Sequence, residues 1–460
     1  MQQWGRSGSR RSLTLVLIGL GLGQSGPAAA QGFTIPEMGA RENGMVAAIG
    51  RPDELAAIYH NPAALTSLSG TQLFLSAGSV FLRTNIRLAP WTGSDTMLKD
   101  PVDSDGYYPE VNPSVFAVVP MLGVSTNLWS EKVVGAFALY VPNAAGATFD
   151  EDAVTRYHMI DAYVVAGFAT FAAAYRPWPW LSVGGGVSVV YIRIHRRYKL
   201  YPYFNGLNFT GFFGKDTEID IEGEDVQPAF HFGLQAWPHR TLSLGFMMLS
   251  RYDVTLEGPL TLKPGAGALP QVKTREFTEN EQSTTIIAPW ILAFGANWDV
   301  LPWLEIGGEF RYYLNSLVDE QVTEITSGKL ATVLPDGRLV TPKNYHDSFH
   351  TGGGFNIKPP LPIQLEIMTG VSYDNSFAPD NTVEVGTPSF NLCAYHVGAR
   401  WRINERFRVS LFYAHYWYLE RTVKDSIISP TTNFTGSGMS DMVTLVLEGR
   451  IARGIGVRTP

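Results

Sequence analysis

A single cysteine, Cys393, in 460 residues excludes an internal disulfide. It lies in Phe390-Asn-Leu-Cys-Ala-Tyr395 with no base beside it in sequence, so it is read as a small packed residue rather than a nucleophile. Charge is scarce as well. Asp, Glu, Lys and Arg make up 17% of the chain, against roughly 25% in soluble domains. There is no basic excess either: 35 Lys and Arg stand against 42 Asp and Glu, a net charge of −7. A nucleic-acid partner needs a basic footprint and is excluded on that ground. No apolar run approaches the roughly 20 residues that a membrane-spanning helix requires. Each is broken by charge, Pro or Gly, so any membrane crossing is made by strands. A Gly-rich loop ending in Lys-Ser/Thr is missing, which removes the usual cradle for nucleotide phosphates. The nine histidines fall in no Ser-His or zinc-ligand spacing; His346 and His350, four apart, lie on strand and loop. No catalytic residue, metal or cofactor is assigned, and the chain is not read as an enzyme.

What is present begins with an export signal. Residues 1–12 carry Arg6, Arg10 and Arg11 without an acid, Leu13–Leu22 is a short apolar core, and Ala28-Ala29-Ala30 follows. That order predicts a secretory signal peptide over residues 1–30.

From residue 71 onward the chain reads as strands of period two. Leu242, Leu244, Phe246 and Met248 share one face, while Thr241, Ser243 and Gly245 share the other. In Leu304–Leu314, the face opposite Leu304, Ile306, Phe310 and Tyr312 carries Glu305, Glu309 and Arg311. A dry sandwich core would have to desolvate those charges, whereas a barrel lumen can be polar. Fourteen segments are expected: 71–83, 113–120, 131–141, 162–176, 181–195, 226–237, 240–254, 284–298, 303–316, 345–358, 361–373, 389–403, 406–420 and 438–451. Their connections alternate between long and short. Tight ones hold Pro177-Trp178-Pro179-Trp180, Pro238-His239, Asp299–Pro302, Lys358–Leu361 and Asn404-Glu405. Short turns on one rim and long loops on the other are the outer-membrane pattern. Trp178, Trp180, Trp237, Trp298, Trp303 and Trp401 lie beside the short turns, where a headgroup girdle belongs. The fold class is therefore all-β: a 14-stranded antiparallel transmembrane β-barrel over residues 71–460.

Residues 31–70 break this rhythm. They read as short helical turns, with Asp53 ahead of Glu54–Tyr59 and with Asn61-Pro62 enforcing an extended backbone. Forty residues bury too little apolar area to fold alone. The barrel lumen is the nearest host, and a bore of fourteen strands is too wide for side chains alone to fill. An N-terminal hatch, or plug, is expected; a periplasmic linker or binding arm is the alternative.

Gly32-Phe33, Ala47-Ala48-Ile49-Gly50, Asp53 and Ile58-Tyr-His-Asn-Pro-Ala63 resemble the FadL family of outer-membrane transporters. That family carries long-chain fatty acids and aromatic hydrocarbons. Its Asn-Pro-Ala hatch motif is matched by Asn61, Pro62 and Ala63, and Val133–Asn143 resembles its third strand. The resemblance implies a monomer in the Gram-negative outer membrane whose partners are a hydrophobic small molecule, membrane lipid and lipopolysaccharide. It also implies a ligand pocket touched by the mature N-terminus, here Gln31, Gly32 and Phe33, and a lateral exit at the third strand. The chain departs from the family in ending Gly456-Val-Arg-Thr-Pro460 rather than on an aromatic residue. His60 beside the motif is a second departure, read either as a packed histidine or as a pH-sensitive hatch contact.

Two further candidates come from the residues themselves. Pro142 removes a ladder donor, so an opening or irregularity of the wall is expected around Pro142, Asn143 and Gly146. Tyr203, Phe204, Phe209, Phe212 and Phe213, flanked by Arg196, Arg197 and Lys199, form the most aromatic loop. This loop is an external capture surface, or packing over the barrel mouth, or a contact with lipopolysaccharide. A general porin for polar solutes and an outer-membrane enzyme are the competing functions.

Overall fold

Inward and outward side chains alternate along the strands as period two requires. The computed structural model describes residues 34–91, 102–127, 130–201, 203–204, 207–208, 210–428 and 430–452. The signal-peptide region and Gln31, Gly32 and Phe33 lie outside the described residues, as do Phe209 and the C-terminal tail.

Fourteen strands close into an antiparallel ring. In chain order they begin with β1 (Thr71–Leu88), β2 (Ser114–Thr126), β3 (Val133–Thr148), β4 (Asp161–Trp178), β5 (Leu181–Lys199), β6 (Glu218–His239) and β7 (Leu242–Leu249). Numbering passes over β8 (Tyr252–Lys263) and β9 (Glu279–Ala288), which stand above the ring, to β10 (Ile291–Leu301) and β11 (Leu304–Tyr313). A second pair, β12 (Glu320–Ser327) and β13 (Arg338–Pro342), also stands outside it. The ring then ends with β14 (Ser348–Ile357), β15 (Gln364–Asp374), β16 (Leu392–Arg402), β17 (Phe407–Val423) and β18 (Phe434–Ala452). Pairing of β18 with β1, from Gln72 opposite Arg450 to Leu88 opposite Phe434, closes the cylinder and leaves it no free edge.

Several strands run beyond their expected ends. The segment expected at 113–120 extends through Thr126, and that expected at 226–237 begins at Glu218. Two expected strands, 240–254 and 284–298, are each broken in the middle, at Ser250-Arg251 and at Pro289-Trp290. Above the breaks, β8 pairs with β6 and β9, and β12 and β13 add on beyond β9. The wall thus continues as a raised sheet on the side of the long loops. Period two alone does not reveal such a break, because the alternation resumes on its far side.

The outer face is a band of exposed Leu, Val, Ile and Phe, including Leu75, Phe171, Phe230, Phe294, Val371 and Leu411. Trp178, Trp180, Trp298, Trp303 and Trp401 are exposed next to the tight turns, as a headgroup belt requires. Trp237 instead lies half-buried under the Arg176 guanidinium, 4.1 Å from its ring centroid. Cys393 is a half-buried free thiol.

Residues 34–70 sit inside the ring, and almost all of them are buried. They form α1 (Ala40–Met45), α2 (Ala57–His60) and a 3-10 turn over Pro62–Ser67. Their apolar side chains, Ile35, Met38, Ile49, Leu55, Ile58, Tyr59 and Leu65, join inward residues of the strands in one core. The charges Glu305, Glu309 and Arg311 do face the lumen, but not water. They are at most 5% exposed, covered by the segment inside the bore.

Candidate functional site

The lumenal segment is seated by polar contacts whose partners are far apart in sequence. Gly39 precedes α1 with φ 82°, a left-handed conformation that favours glycine. The first turn of α1 receives a carboxylate from elsewhere, as Ala40 N and Arg41 N donate to Glu54 Oε1 at 2.5 and 3.4 Å. Arg41 Nη1 donates to Glu305 Oε1 at 2.6 Å, and its Nε lies 3.0 Å from Asp53. Arg400, from β16, reaches Asp53 at 2.9 Å and Glu54 at 3.3 Å. On β11, Arg311 lies 2.7 Å from Glu42 and 2.6 Å from Glu309, and Glu309 accepts the Ala48 and Ile49 N–H groups at 2.7 and 3.1 Å. Glu42, Glu309 and His350 come close enough to share a cation. The Arg311 guanidinium already fills that role towards both carboxylates.

The Asn-Pro-Ala motif has a direct physical account. Asn61 is extended (φ −164°, ψ 95°), as a residue before proline must be, and Pro62 opens the 3-10 turn where no N–H is needed. The Asn61 side chain accepts from Ala63 N and donates towards Leu234 O at 3.0 Å and Gln235 Oε1 at 2.9 Å. Ser182 Oγ donates to Ala63 O at 2.7 Å. One face of the motif lies on Gly184, where a Cβ would come 2.5 Å from Pro62 C and Ala63 N. The same close approach recurs at Gly245 of β7, where a Cβ would collide with the Ile49 carbonyl. Gly184 and Gly245 are thus positions of close approach, where any side chain would displace the segment inside the bore.

His60 is 1% exposed. Nε2–H donates to Met38 O at 2.7 Å, and Nδ1 faces Arg311 Nη2 at 3.2 Å. Burial, reinforced by the Arg311 charge, holds its pKa down to about 3, so the ring is neutral at ordinary pH. A histidine depressed from 6.5 in this way stabilises the folded state fully above pH 6.5, and the contribution fades as pH falls towards 3. We expect His60→Gln to flatten the loss of thermal stability between pH 7 and pH 4. Melting curves of both proteins at those two pH values test this, and parallel acid losses would remove His60 as the titrating group.

Above the lumenal segment lies a cavity of about 570 Å³, within the roughly 300–1,000 Å³ range of small-molecule sites. Tyr59 and Thr34 form its floor; Leu249, Tyr252, Ile286 and Phe213 are among its apolar walls. Its polar side holds Lys343 and Arg196 around Glu384, with Lys343 Nζ ion-paired to that carboxylate and Arg196 3.5 Å away. Burial alone would raise the Glu384 carboxyl, but Lys343 and then Arg196 outweigh it and hold the group at about 2. Burial keeps His158, also on this wall, neutral by lowering it to about 4. Phe213 is buried with Ile219, Leu260, Val272 and Leu330, and Phe212 packs against that cluster. The side chains of Tyr203 and Phe204 lie outside the described residues.

At the third strand the wall changes. From Thr126 opposite Gly135 to Met121 opposite Tyr140, β2 and β3 are paired; beyond that, Ser114–Pro120 pair with β1 and Asn143–Thr148 with β4. The β3–β4 register slips between Tyr140 and Asn143, where Val141 and Pro142 oppose Gly167 alone. On the edge of β3 away from β4, Thr34 bridges to Asn143, Ile35 N donates to Pro142 O at 2.6 Å, and Asn143 Nδ2 donates to Thr34 Oγ1 at 3.0 Å. Asn143 and Gly146 also line the cavity. Pro120, the residue of β2 just beyond its last pair with β3 (Met121 opposite Tyr140), was missed from sequence, although a second proline at a ladder end was a readable signal.

No curated protein matches the sequence significantly. Solved structures do match the fold. A Pseudomonas aeruginosa FadL homologue superposes with a TM-score of 0.75 at 14% identity, covering 91% of this chain and 99% of that one. The Pseudomonas putida toluene transporter TodX gives 0.66 at 14% identity, with 91% and 99% covered. The Ralstonia pickettii toluene transporter TbuX gives 0.62 at 15%, with 90% and 98% covered. The family model for outer membrane protein transport protein (OMPP1/FadL/TodX) matches residues 22–448, and the chain belongs to that family.

Proposed function

We propose that this outer-membrane barrel takes up a hydrophobic small molecule, a long-chain fatty acid or related hydrocarbon, through the cavity above its hatch and releases it sideways at the third strand. The observation that carries this reading is one juxtaposition. An apolar cavity reaches from the long loops down to Thr34 and Tyr59, and it borders the stretch of β3 that β2 leaves unpaired.

The physical logic follows from the solute. An apolar molecule is stopped by the polysaccharide-coated outer leaflet rather than by hydrocarbon, and a water-filled pore offers it no favourable site. Each methylene that leaves water gains about 0.8 kcal/mol, which only a dry surface supplies. Affinity for the cavity drives entry, and the hydrocarbon beside β3 receives the ligand. No nucleotide or metal is required. The aromatic loop around Phe212 and Phe213 roofs the cavity and guides entry; Gln31, Gly32 and Phe33, next to Thr34, are the residues expected to touch a ligand that reaches the floor. Lipopolysaccharide is the expected neighbour of the long loops.

Native mass spectrometry of the purified protein, followed by organic extraction, tests the reading and identifies the ligand class. A retained apolar molecule that is lost when Leu249 is replaced by Trp supports it. An empty protein that passes ions freely in a planar bilayer is the result expected of a polar porin, and would overturn it.

A further inference from the structure

At the opposite end of the bore, on the rim of tight turns, lies a second pocket of about 290 Å³. Four arginines line it: Arg402 at the end of β16, Arg406 in the turn, Arg408 at the start of β17 and Arg450 on β18. Against them stand three carboxylates, Asp53, Glu405 and Glu448. Asp53 is already held by Arg41 and Arg400, and Glu448 by Arg408. Arg408 is ion-paired to Glu448, and Arg450 feels the charges of both Glu405 and Glu448.

The strand register forces this crowding. Arg402 is directly opposite Arg408, and Arg408 is directly opposite Glu448. Like charges in such cross-strand pairs are destabilising unless something negative lies between them. Arg450 is drawn into the same corner because its N–H donates to Arg406 O at 2.8 Å. Three strand ends and one turn thus bring four arginines to the lining of a single concavity, and Arg402, Arg406 and Arg450 are exposed there.

We propose that this pocket is a binding site for a phosphate group at the periplasmic rim of the barrel. A carboxylate satisfies one guanidinium fork, whereas a phosphate presents enough oxygens, in the right planes, to bridge two or three. Such a group has two sources here. Inner-leaflet phospholipid headgroups lie at this rim, next to the exposed lipid-facing Trp401, Ile403, Phe407 and Ile451. Free phosphate in the periplasm is the other. The site also touches the hatch: Asp53, Ser67 and Leu68 line it, and Arg408 Nη2 donates to Asp53 O at 3.2 Å. An anion bound there ties the wall arginines to the end of the plug.

The test uses the full mature chain in nonionic detergent with two probes, inorganic phosphate followed by calorimetry and phosphatidylglycerol followed by native mass spectrometry, with diacylglycerol as the phosphate-free control. Arg402→Gln/Arg450→Gln removes two exposed charges from the site. Lys132→Gln/Arg240→Gln removes two from the same rim away from it. We expect binding that weakens with salt, is lost at least tenfold in the first variant and is retained in the second. Phosphate alone bound assigns the site to a free anion, phosphatidylglycerol alone to the headgroup, and both to the shared chemistry; each supports the proposal. No binding by the unaltered protein, equal loss in both variants, or equal retention of diacylglycerol would overturn it.

Discussion

Replacing Arg311 with methionine is expected to unseat the hatch. The guanidinium is 1% exposed, and it is the counter-charge for both Glu42 on the hatch and Glu309 on the wall. Without it, two buried carboxylates face each other across the hatch–wall contact, and Glu309 still has to accept the Ala48 and Ile49 N–H groups. Removing one partner from a buried ion pair costs about 3–5 kcal/mol. Placed on the docking equilibrium, that cost shifts it by about two to four orders of magnitude towards the undocked state, at about 1.4 kcal/mol per factor of ten. The barrel itself should survive, because its ladder is closed independently of this contact. Planar-bilayer recordings should then show more ion conduction than those of the unaltered protein, while heat-dependent gel migration still reports a folded barrel. Arg311→Lys keeps the charge but loses the planar fork, and should conduct at an intermediate level. Closed channels in Arg311→Met would mean that apolar packing of Ile49, Ile58 and Tyr59 holds the plug without the ion pairs.

That result bears on what the sequence could convey. Parity alone placed Glu305, Glu309 and Arg311 on the lumen side, and there they are. What parity could not supply is the partner. Glu305 is 264 residues from Arg41, and Arg400 is 347 from Asp53. A lone charged face on a strand reads the same whether it meets water or a buried counter-ion. A plug was expected in the bore, but not that its own charged side chains would answer those of the wall. Fourteen strands and their alternating connections were readable because closure, lipid contact and turn chemistry all leave local marks. The raised sheet leaves fainter ones: Ser250-Arg251 and Pro289-Trp290 interrupt strands whose alternation continues into β8 and back through β9, while β12 and β13 lie in what reads as one long connection.

The aromatic loop shows a different limit. Composition reveals that residues 203–213 are apolar, but not which side of the loop they cover. Phe213 turns inward onto Ile219 and Leu260 and borders the cavity. By contrast, Asn61-Pro62-Ala63 is nearly self-explanatory once seated. The proline fixes the backbone, the asparagine amide bridges hatch to β6, and the small third residue lies against the glycine wall.

Deleting Pro142 is expected to abolish uptake while leaving ligand binding and the closed hatch intact. Between Tyr140 and Asn143 the third strand carries one residue more than β4 does, and removing Pro142 restores equal spacing opposite Phe168, Gly167 and Ala166. The strand then regains a donor at the position where proline has none. Its upper part, Asn143–Thr148, becomes free to extend the pairing with β2 beyond Met121 opposite Tyr140, in competition with the Thr34 bridge. A wall zipped in this way presents no edge through which an apolar molecule can pass from the cavity into lipid. Cells carrying the variant should take up labelled fatty acid or hydrocarbon no faster than cells without the protein, although purified variant and parent retain the same ligand by mass spectrometry. Because binding and release are read separately, the experiment distinguishes a closed exit from a damaged cavity. Undiminished uptake by a correctly assembled variant would place the exit elsewhere, most directly along the bore past the hatch.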